Sequence, residues 1–189
     1  MSIATKRGDE GVTSLIGQRV PKSDARIEAC GVIDELGAHL GYARALCLSE
    51  DLNTLTKEIQ VELYTLGSIV ATASNRELKK TITPEMIERL NQTVERLEQR
   101  EGLFSGWAVS GEVVAAAAYD VARTTCRRAE RQAVYLKQQD LLQDTQVLVY
   151  LNRLSDLLWL IARWIELDAN VNSKLAPFNQ LPTNQTPEK

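Results

Sequence analysis

Three arginines at regular spacing carry the clearest chemical signal in this sequence. Arg123, Arg127 and Arg131 follow one another at intervals of four in the stretch ARTTCRRAER, which places them along one side of an α-helix. Like charges at this spacing destabilise a helix by about 0.2–0.5 kcal/mol per pair. An anion lying against the row would remove that repulsion, because guanidinium groups donate paired hydrogen bonds to phosphate or carboxylate oxygens. The row therefore indicates an anion-binding surface.

Two charged neighbours of the row leave a second interpretation open. Glu130 stands three residues after Arg127 and can orient its guanidinium, whereas Arg128 points about a quarter-turn away. The same pattern is typical of a solvated basic face on which Glu130 makes an ordinary helical ion pair. On the helix alone this second interpretation is the commoner one, so other parts of the chain have to point to a ligand.

Polar residues also interrupt the most apolar of the predicted helices. Asn152 and Asp156 are four residues apart, with Ser155 between them, in the stretch NRLSDLLWLIAR. A buried amide or carboxylate without a hydrogen-bond partner costs about 1–3 kcal/mol. These groups are therefore expected to bond to each other or to a neighbouring helix, or else to face a ligand or position the arginines that bind it.

A polar segment near the start of the chain offers a third set of binding groups. The stretch TKRGDEGVTSLIGQRVPK is too irregular to be predicted as a helix or a strand. It combines glycines that permit unusual backbone angles with hydroxyl groups and cations that suit a polyphosphate. These groups belong to Gly8, Gly11, Gly17, Thr5, Thr13, Ser14, Lys6, Arg7, Arg19 and Lys22. The segment has no Walker motif, and a disordered N-terminus of similar composition is the alternative.

Five amphipathic helices are predicted to position these groups. Apolar residues recur at spacings of three and four, and capping residues such as Asp24 and Thr83 precede the periodic segments. The predicted helices cover residues 24–46, 51–73, 84–100, 112–138 and 145–171. Long helices with short connections indicate an all-α, five-helix bundle in a single domain over residues 1–175. Residues 176–189 are rich in proline, asparagine and threonine, which predicts a disordered tail.

The composition is that of one folded domain in a reducing compartment. The chain has 189 residues, of which 44% are hydrophobic. Its three cysteines, Cys30, Cys47 and Cys126, cannot all pair within one chain, so we expect reduced thiols in a cytoplasmic protein. Met1–Ala4 lacks the pattern of a signal peptide, and the most strongly apolar stretch, Leu157–Ala162, is too short to cross a membrane.

Together, these stretches resemble a known family of enzymes. TKRGDEGVTSL, RVPKSDARIEACGVIDELGAHLG, ARTTCRRAER and NRLSDLLWLIAR are similar to the signature segments of the PduO-type ATP:cob(I)alamin adenosyltransferases. The match covers most of the chain in the right order. The resemblance implies a five-helix bundle that assembles as a homotrimer with its active sites between subunits. ATP is then held by the leader, residues 1–23, of one subunit and by the arginine-bearing helix of another.

The resemblance also assigns roles to individual residues. Nucleotide contacts are implied for Thr5, Lys6, Arg7, Gly8, Thr13, Ser14 and Lys22, with Asp9 and Gly11 in the same motif. The rest of the nucleotide site is implied for Arg127, Arg128, Glu130, Arg131 and Asn152. Asp34 and Arg123 match an acid–arginine pair that joins subunits beside the site. The leader is accordingly expected to be a nucleotide clamp that orders over ATP.

The implied reaction transfers the 5′-deoxyadenosyl group of ATP to the cobalt of reduced cob(I)alamin, giving adenosylcobalamin and triphosphate. Because cobalt is the nucleophile, the protein has to position two substrates and stabilise the leaving charge. Arg127 and Arg131, together with Lys6 and Lys22, are expected to bind the triphosphate. Mg²⁺ would bridge the phosphate oxygens, with no metal site built by the protein itself. A reductase that supplies cob(I)alamin and a cobalamin-dependent acceptor enzyme are candidate partners.

The loop before the arginine-bearing helix departs from the family pattern. Relatives commonly carry a phenylalanine followed by Pro-Gly-Gly, whereas this chain has WAVSGE, with Trp107 at the aromatic position. The resemblance implies that this aromatic occupies the space of the corrinoid's lower axial ligand and excludes that ligand and water. A tryptophan packed on the end of the bundle is the alternative. A second departure is Arg7, where relatives commonly have threonine.

Three other functions are compatible with some of these features. The altered WAVSGE loop keeps open a non-catalytic sensor or carrier of ATP or corrinoid on the same bundle. A ferritin-like metal protein needs paired Glu-x-x-His ligands, and the single histidine, His39, belongs to no such pair. A helical nucleic-acid binder is disfavoured by the net charge of −3 and by the lack of aromatic side chains around RRAER. We therefore expect neither nucleic acid nor a membrane as a partner.

Overall fold

The computed structural model describes residues 6–103 and 108–171, and in this part of the chain five helices follow a short β-hairpin. The elements are β1 (Val12–Leu15), β2 (Gln18–Pro21), α1 (Ala25–Leu46), α2 (Glu50–Ala71), α3 (Pro84–Glu98), α4 (Val114–Gln138) and α5 (Gln146–Asp168). The five-helix bundle is confirmed, and the helix ends differ from the predicted ones by no more than about three residues. The predictions for Thr5, Trp107 and the tail 176–189 lie outside the described residues, and the single domain over 1–175 stays a prediction.

Side-chain caps explain where the first three helices begin. The carboxylate of Asp24 accepts a hydrogen bond from the Arg26 amide at 2.9 Å at the start of α1. Thr83 caps α3 in the same way, with a proline at the first helical position, as its sequence predicts. Ser49, which the sequence analysis did not single out, caps α2. These caps satisfy amides that would otherwise have no partner within the helix.

Most neighbouring helices of the bundle run antiparallel, whereas α3 and α5 run in the same direction. Glu35 on α1 pairs with Arg128 on α4, and four residues further along α1, His39 bonds to Thr125 at 3.0 Å. Residue numbers thus rise along α1 as they fall along α4, and the contacts of α1 with α2 and of α4 with α5 follow the same rule. The starts of α1 and α5 therefore lie at one end of the bundle, together with the ends of α2 and α4.

The core is a continuous apolar cluster shared by all five helices. Fully buried residues include Leu36 and Leu40 of α1, Leu66 of α2 and Leu154 of α5. Burying a side chain of this size contributes about 1.5–3 kcal/mol, so the stripes read from the sequence account for the packing of the bundle. Within the described residues, no helix has both the length and the apolar character needed to cross a membrane.

The described part of the leader is more ordered than its sequence predicts, because residues 12–21 form an antiparallel hairpin rather than an irregular chain. Val12 pairs with Pro21 and Leu15 with Gln18. The turn is docked on the end of α2, where the Ile16 amide donates to the Ala71 carbonyl at 2.9 Å. The prediction was wrong here because only Val20 of the hairpin is buried, so apolar and polar residues do not alternate clearly. Docking supplies the support that an isolated two-stranded hairpin lacks.

Candidate functional site

The hairpin encloses a cavity that brings together several of the predicted nucleotide-binding residues. Its volume is about 440 Å³. Three cationic residues and two residues with hydroxyl groups line it, which is a set of residues suited to an anion with many oxygens. The lining residues are Arg7, Gly8, Val12, Thr13, Ser14, Arg19 and Lys22. Of the predicted set, Arg7, Gly8, Thr13, Ser14 and Lys22 thus meet in one place.

Glycine conformations and backbone hydrogen bonds shape this cavity. The Lys22 amide donates to the Gly11 carbonyl at 2.8 Å, and Gly11 has a φ of +76°, which disfavours a side chain there. A Cβ added to Gly8 would lie 3.1 Å from Lys22 Nζ, so the missing side chain gives the ammonium group its space. Arg19 Nη2 donates to the Arg7 carbonyl at 3.2 Å and ties the second strand to the segment before the first.

Two further leader residues lie next to the cavity but do not line it. Lys6 is exposed and has a φ of +58°, and Asp9 is exposed in the turn that precedes β1. Among residues 6–103 and 108–171, no three His, Cys, Asp or Glu side chains form a group that could hold a metal ion.

Arg127 and Arg131 lie exposed on α4, and neither guanidinium group has a partner among residues 6–103 and 108–171. Neither makes an ion pair or a hydrogen bond to the described part of the chain. The suggested Glu130–Arg127 pair is not formed, because Glu130 turns towards α5 and accepts a hydrogen bond from Asn152 Nδ2 at 3.3 Å. Both arginines thus remain available for an external anion.

Arg128 differs from these two arginines in having a partner within the chain. It forms an ion pair with Glu35 on α1. The hydrogen bond from Arg128 lowers the pKa of Glu35, and the nearby positive charge adds to the effect. The predicted quarter-turn offset of Arg128 from the row is consistent with this contact. Its predicted role in nucleotide binding stays a prediction.

The polar residues of α5 divide between its two sides. Asn152 is partly buried and bonds to Glu130, which matches the expectation of a partner on a neighbouring helix. Ser155 is buried and donates to the Asn152 carbonyl at 2.9 Å. Asp156 is exposed, so the expectation of a buried carboxylate at this position is wrong. It faces solvent because the apolar stripe of α5 turns its neighbours Leu157 and Leu158 inwards.

The proposed subunit pair is separated within a single chain. Asp34 is exposed on α1 and makes no hydrogen bond or ion pair with the described residues. Arg123 instead donates from Nε to Asp120 Oδ1 at 3.1 Å, one turn earlier on α4. The pairing of Asp34 with Arg123 between subunits stays a prediction.

A buried ionic cluster behind Arg123 was missed by the sequence analysis. Arg163 on α5 donates from Nη2 to Asp120 Oδ2 at 2.7 Å and from Nε to Glu166 Oε2 at 2.6 Å. Its guanidinium also lies 5.6 Å from the centre of the Trp159 ring. The signals that point to the cluster are an acid and a base three residues apart on each helix, both within strongly apolar surroundings.

A second cavity lies at the opposite end of the bundle from the hairpin. It has a volume of about 440 Å³ and a mostly apolar lining. The lining comes from the α1–α2 connection, the start of α4 and the end of α5: Leu46, Cys47, Leu48, Ser49, Val113, Val114, Ala115, Trp164, Ile165, Asp168 and Ala169. The segment that carries Trp107 directly precedes the residues of α4 that line it.

Sequence comparison relates this chain to one family over most of its length. The family model described as cobalamin adenosyltransferase matches residues 3–165. The corrinoid adenosyltransferase PduO of Salmonella typhimurium is 37% identical over 174 residues, which cover 90% of this chain and 51% of that protein. The chain therefore spans about half the length of that relative. A corrinoid adenosyltransferase of Citrobacter freundii is 35% identical over 89% of this chain and 97% of its own length.

Solved structures lead to the same relationship. A variant of the PduO-type ATP:corrinoid adenosyltransferase of Lactobacillus reuteri, complexed with cobalamin and ATP, superposes with a TM-score of 0.84 at 33% identity, covering 93% of this chain and 99% of that one. Another variant of the same protein, complexed with ATP, gives a TM-score of 0.81 at 33% identity over 89% and 96% of the two chains. On its sequence and its fold, this chain belongs to the cobalamin adenosyltransferase family.

Proposed function

We propose that this protein transfers the 5′-deoxyadenosyl group of ATP to the cobalt of cob(I)alamin, releasing triphosphate. The observation that carries the proposal is the pair of anion-binding surfaces in a member of this family. One is the hairpin cavity, with Arg7, Arg19 and Lys22 around it. The other is the row on α4, where Arg127 and Arg131 have no partner in the described part of the chain.

These residues stabilise the charge that leaves. When cobalt attacks the 5′ carbon, the bond to the phosphate oxygen breaks and triphosphate takes the electron pair. Preorganised cations near those oxygens stabilise the transition state more than the ground state, because negative charge increases there. Arg127, Arg131, Lys6 and Lys22 supply these cations, and Mg²⁺ arrives with the triphosphate rather than in a protein cage.

The two surfaces are best used together if they come from different copies of the chain. The hairpin is docked on the end of α2, whereas α4 packs mainly against α1 and α5. We therefore propose a homotrimer in which the leader of one subunit faces the arginine row of the next. The Asp34 carboxylate, which is exposed and has no partner in the described part of the chain, supports a contact with Arg123 of a neighbouring copy.

The position of Trp107 fits the corrinoid side of the same reaction. In the Lactobacillus reuteri structures one variant replaces an arginine and another a phenylalanine, and the phenylalanine precedes the arginine by twenty residues. Trp107 precedes Arg127 by the same separation. We propose that Trp107 displaces the lower ligand of cobalamin, which favours the four-coordinate cobalt(II) form that is reduced before transfer.

This role of Trp107 predicts a spectroscopic effect. Trp107→Ala should lose most of the four-coordinate cobalt(II) signal seen with bound cobalamin and ATP, because water or the lower base can then reach the metal. The fold and the affinity for ATP should change little. An unchanged cobalt(II) spectrum in this variant would show that the tryptophan only packs on the end of the bundle.

An anaerobic assay tests the function itself. The protein is mixed with ATP and chemically reduced cobalamin, and the appearance of adenosylcobalamin and triphosphate is followed. Both products should form in equal amounts. ATP binding without either product would instead support the sensor or carrier, for which the WAVSGE loop is the supporting feature.

The free thiols of Cys30, Cys47 and Cys126 support a reducing compartment such as the cytoplasm.

A further inference from the structure

We propose that Asp120 is a positioning residue that fixes the Arg123 guanidinium for contact with a neighbouring copy of the chain. This inference rests on the proposed function, since that function places Arg123 at a subunit contact. The inference extends the proposed function by adding three residues to which neither the resemblance nor the comparisons assign a role: Asp120, Arg163 and Glu166.

The geometry of Asp120 is the first step of the argument. Its two carboxylate oxygens bond to two different arginines, Oδ1 to Arg123 Nε at 3.1 Å and Oδ2 to Arg163 Nη2 at 2.7 Å. The Asp120 side chain is only 5% exposed. A carboxylate can accept from both donors at once, whereas an amide offers a single oxygen. Asp120 therefore connects a buried arginine to one that is 25% exposed.

The second step is the anchor behind Asp120. Arg163 and Glu166 form a bidentate pair, with Nε to Oε2 at 2.6 Å and Nη2 to Oε1 at 3.0 Å. Their side chains are 6% and 1% exposed. Together with Asp120 and Arg123, these side chains carry two positive and two negative charges. Such a satisfied buried cluster holds its members in one geometry, because any rotation would leave a charge without a partner.

The third step concerns the part of Arg123 that remains free. Asp120 occupies only Nε, and neither Nη atom bonds to any residue in the described ranges. The end of the guanidinium therefore keeps the paired donors that bind a carboxylate side-on. Asp34 is exposed and has no hydrogen-bond partner among the same residues. Fixing Arg123 in advance lowers the side-chain entropy lost when two copies meet.

Sedimentation analysis of four variants tests the proposal. The quantity is the protein concentration at which half the chains are assembled, measured for the wild type, Asp120→Asn, Asp34→Asn and the double variant. Asp120→Asn should raise this concentration at least tenfold, because the amide cannot serve both arginines. When Asp34→Asn is already present, adding Asp120→Asn should change this concentration less than about twofold, since the contact between Asp34 and Arg123 is already lost.

A matched control separates positioning from general destabilisation. Glu62 is also a carboxylate with two partners, since it accepts a hydrogen bond from Tyr150 Oη at 2.6 Å and forms an ion pair with Arg89, but it is half-buried and joins α2 to α3 and α5. Glu62→Gln should lower thermal stability without a change in assembly that depends on Asp34. If Asp120→Asn weakens assembly equally with and without Asp34, or not at all, the proposal is overturned.

Two further measurements keep the outcome clear. If Asp120→Asn does not fold, Arg163→Lys keeps the charge but cannot hold both acids in one fork, and a loss of assembly that depends on Asp34 is again expected. If Asp34→Asn alone leaves assembly unchanged, the subunit pair of the proposed function is wrong. Hydrogen exchange at the Arg123 Nε–H, followed by NMR, then tests whether Asp120 positions Arg123. The exchange should be slow in the wild type and fast in Asp120→Asn.

Discussion

The outer and inner arginines of the α4–α5 region differ in what they bind. Arg127 and Arg131 are exposed, and neither has a partner in the described part of the chain. Arg163 is buried and bonds to two carboxylates, and Arg123 shares one of them. The comparison separates arginines that belong to the fold from arginines that are free to bind an anion. Spacing along a helix does not make that distinction, because Arg123 and Arg127 occupy the same predicted row.

The largest expected effect comes from the inner set. Arg163→Leu removes the arginine that pairs with two buried carboxylates, those of Asp120 and Glu166. Removing one partner of a buried ion pair costs about 3–5 kcal/mol. Urea denaturation should show that loss, whereas Arg127→Leu should change the free energy of unfolding by less than about 0.5 kcal/mol. Equal losses in the two variants would remove the distinction between the sets.

The outer set should affect turnover and leave stability nearly unchanged. Arg127→Ala and Arg131→Ala are each expected to lower the rate of adenosylcobalamin formation by about 10³-fold, equivalent to about 4 kcal/mol of transition-state stabilisation. The exposed Arg96, near the end of α3, gives the control Arg96→Ala, which should keep the wild-type rate. Near-normal turnover in both row variants would exclude them from the triphosphate site.

The hairpin should show an intermediate effect through its docking. Gly17 has a φ of +96°, and a Cβ there would lie 2.7 Å from Arg76 Cγ. Gly17→Ala should therefore strain the turn by about 1–2 kcal/mol and weaken ATP binding up to about tenfold in a calorimetric titration. Gly67→Ala is the control, because Gly67 lies in α2 with nothing within 4 Å of an added Cβ. Unchanged ATP affinity in Gly17→Ala would mean that hairpin docking does not shape the site.

The smallest expected effect concerns the cap of α1, which couples stability to pH. The hydrogen bond from the Arg26 side chain lowers the pKa of Asp24. A carboxyl whose pKa is lower in the folded state stabilises the protein above its unfolded pKa of about 3.9 and loses that contribution as the pH falls through the folded value. Asp24→Asn should therefore lose stability at pH 7 and differ little from the wild type near pH 2, as urea denaturation at both pH values would show.

The helices could be predicted from the sequence because their stripes and caps are local signals. The hairpin could not, since Val20 is the only buried residue of its two four-residue strands, and its turn is supported by Ala71 and Ala73 far along the chain. The exposure of Asp156 depended on the rotation of α5 about its own axis, which spacing alone does not give. The turn of Glu130 towards Asn152 required knowledge of which helices are neighbours.

The candidate site shows the same division between local and long-range information. The motif residues Arg7, Gly8 and Lys22 were identified from residue type and order, and the hairpin does bring them together. Asp120 and Arg163 were missed because each looks like a solvated charge until α4 and α5 are placed side by side. Long-range pairing of charges is not encoded in any single window of the sequence.

The central claim is that the leader of one copy and the arginine row of another form one active site. Lys22→Ala and Arg127→Ala should each be inactive as pure assemblies, and the decisive measurement is turnover after equal amounts are dissociated, mixed and reassembled. If sites lie between subunits, some pair an intact leader with an intact row, and about a quarter of the wild-type activity should return. If both surfaces come from the same chain, no intact site can form and the mixture should stay inactive, which would contradict the account.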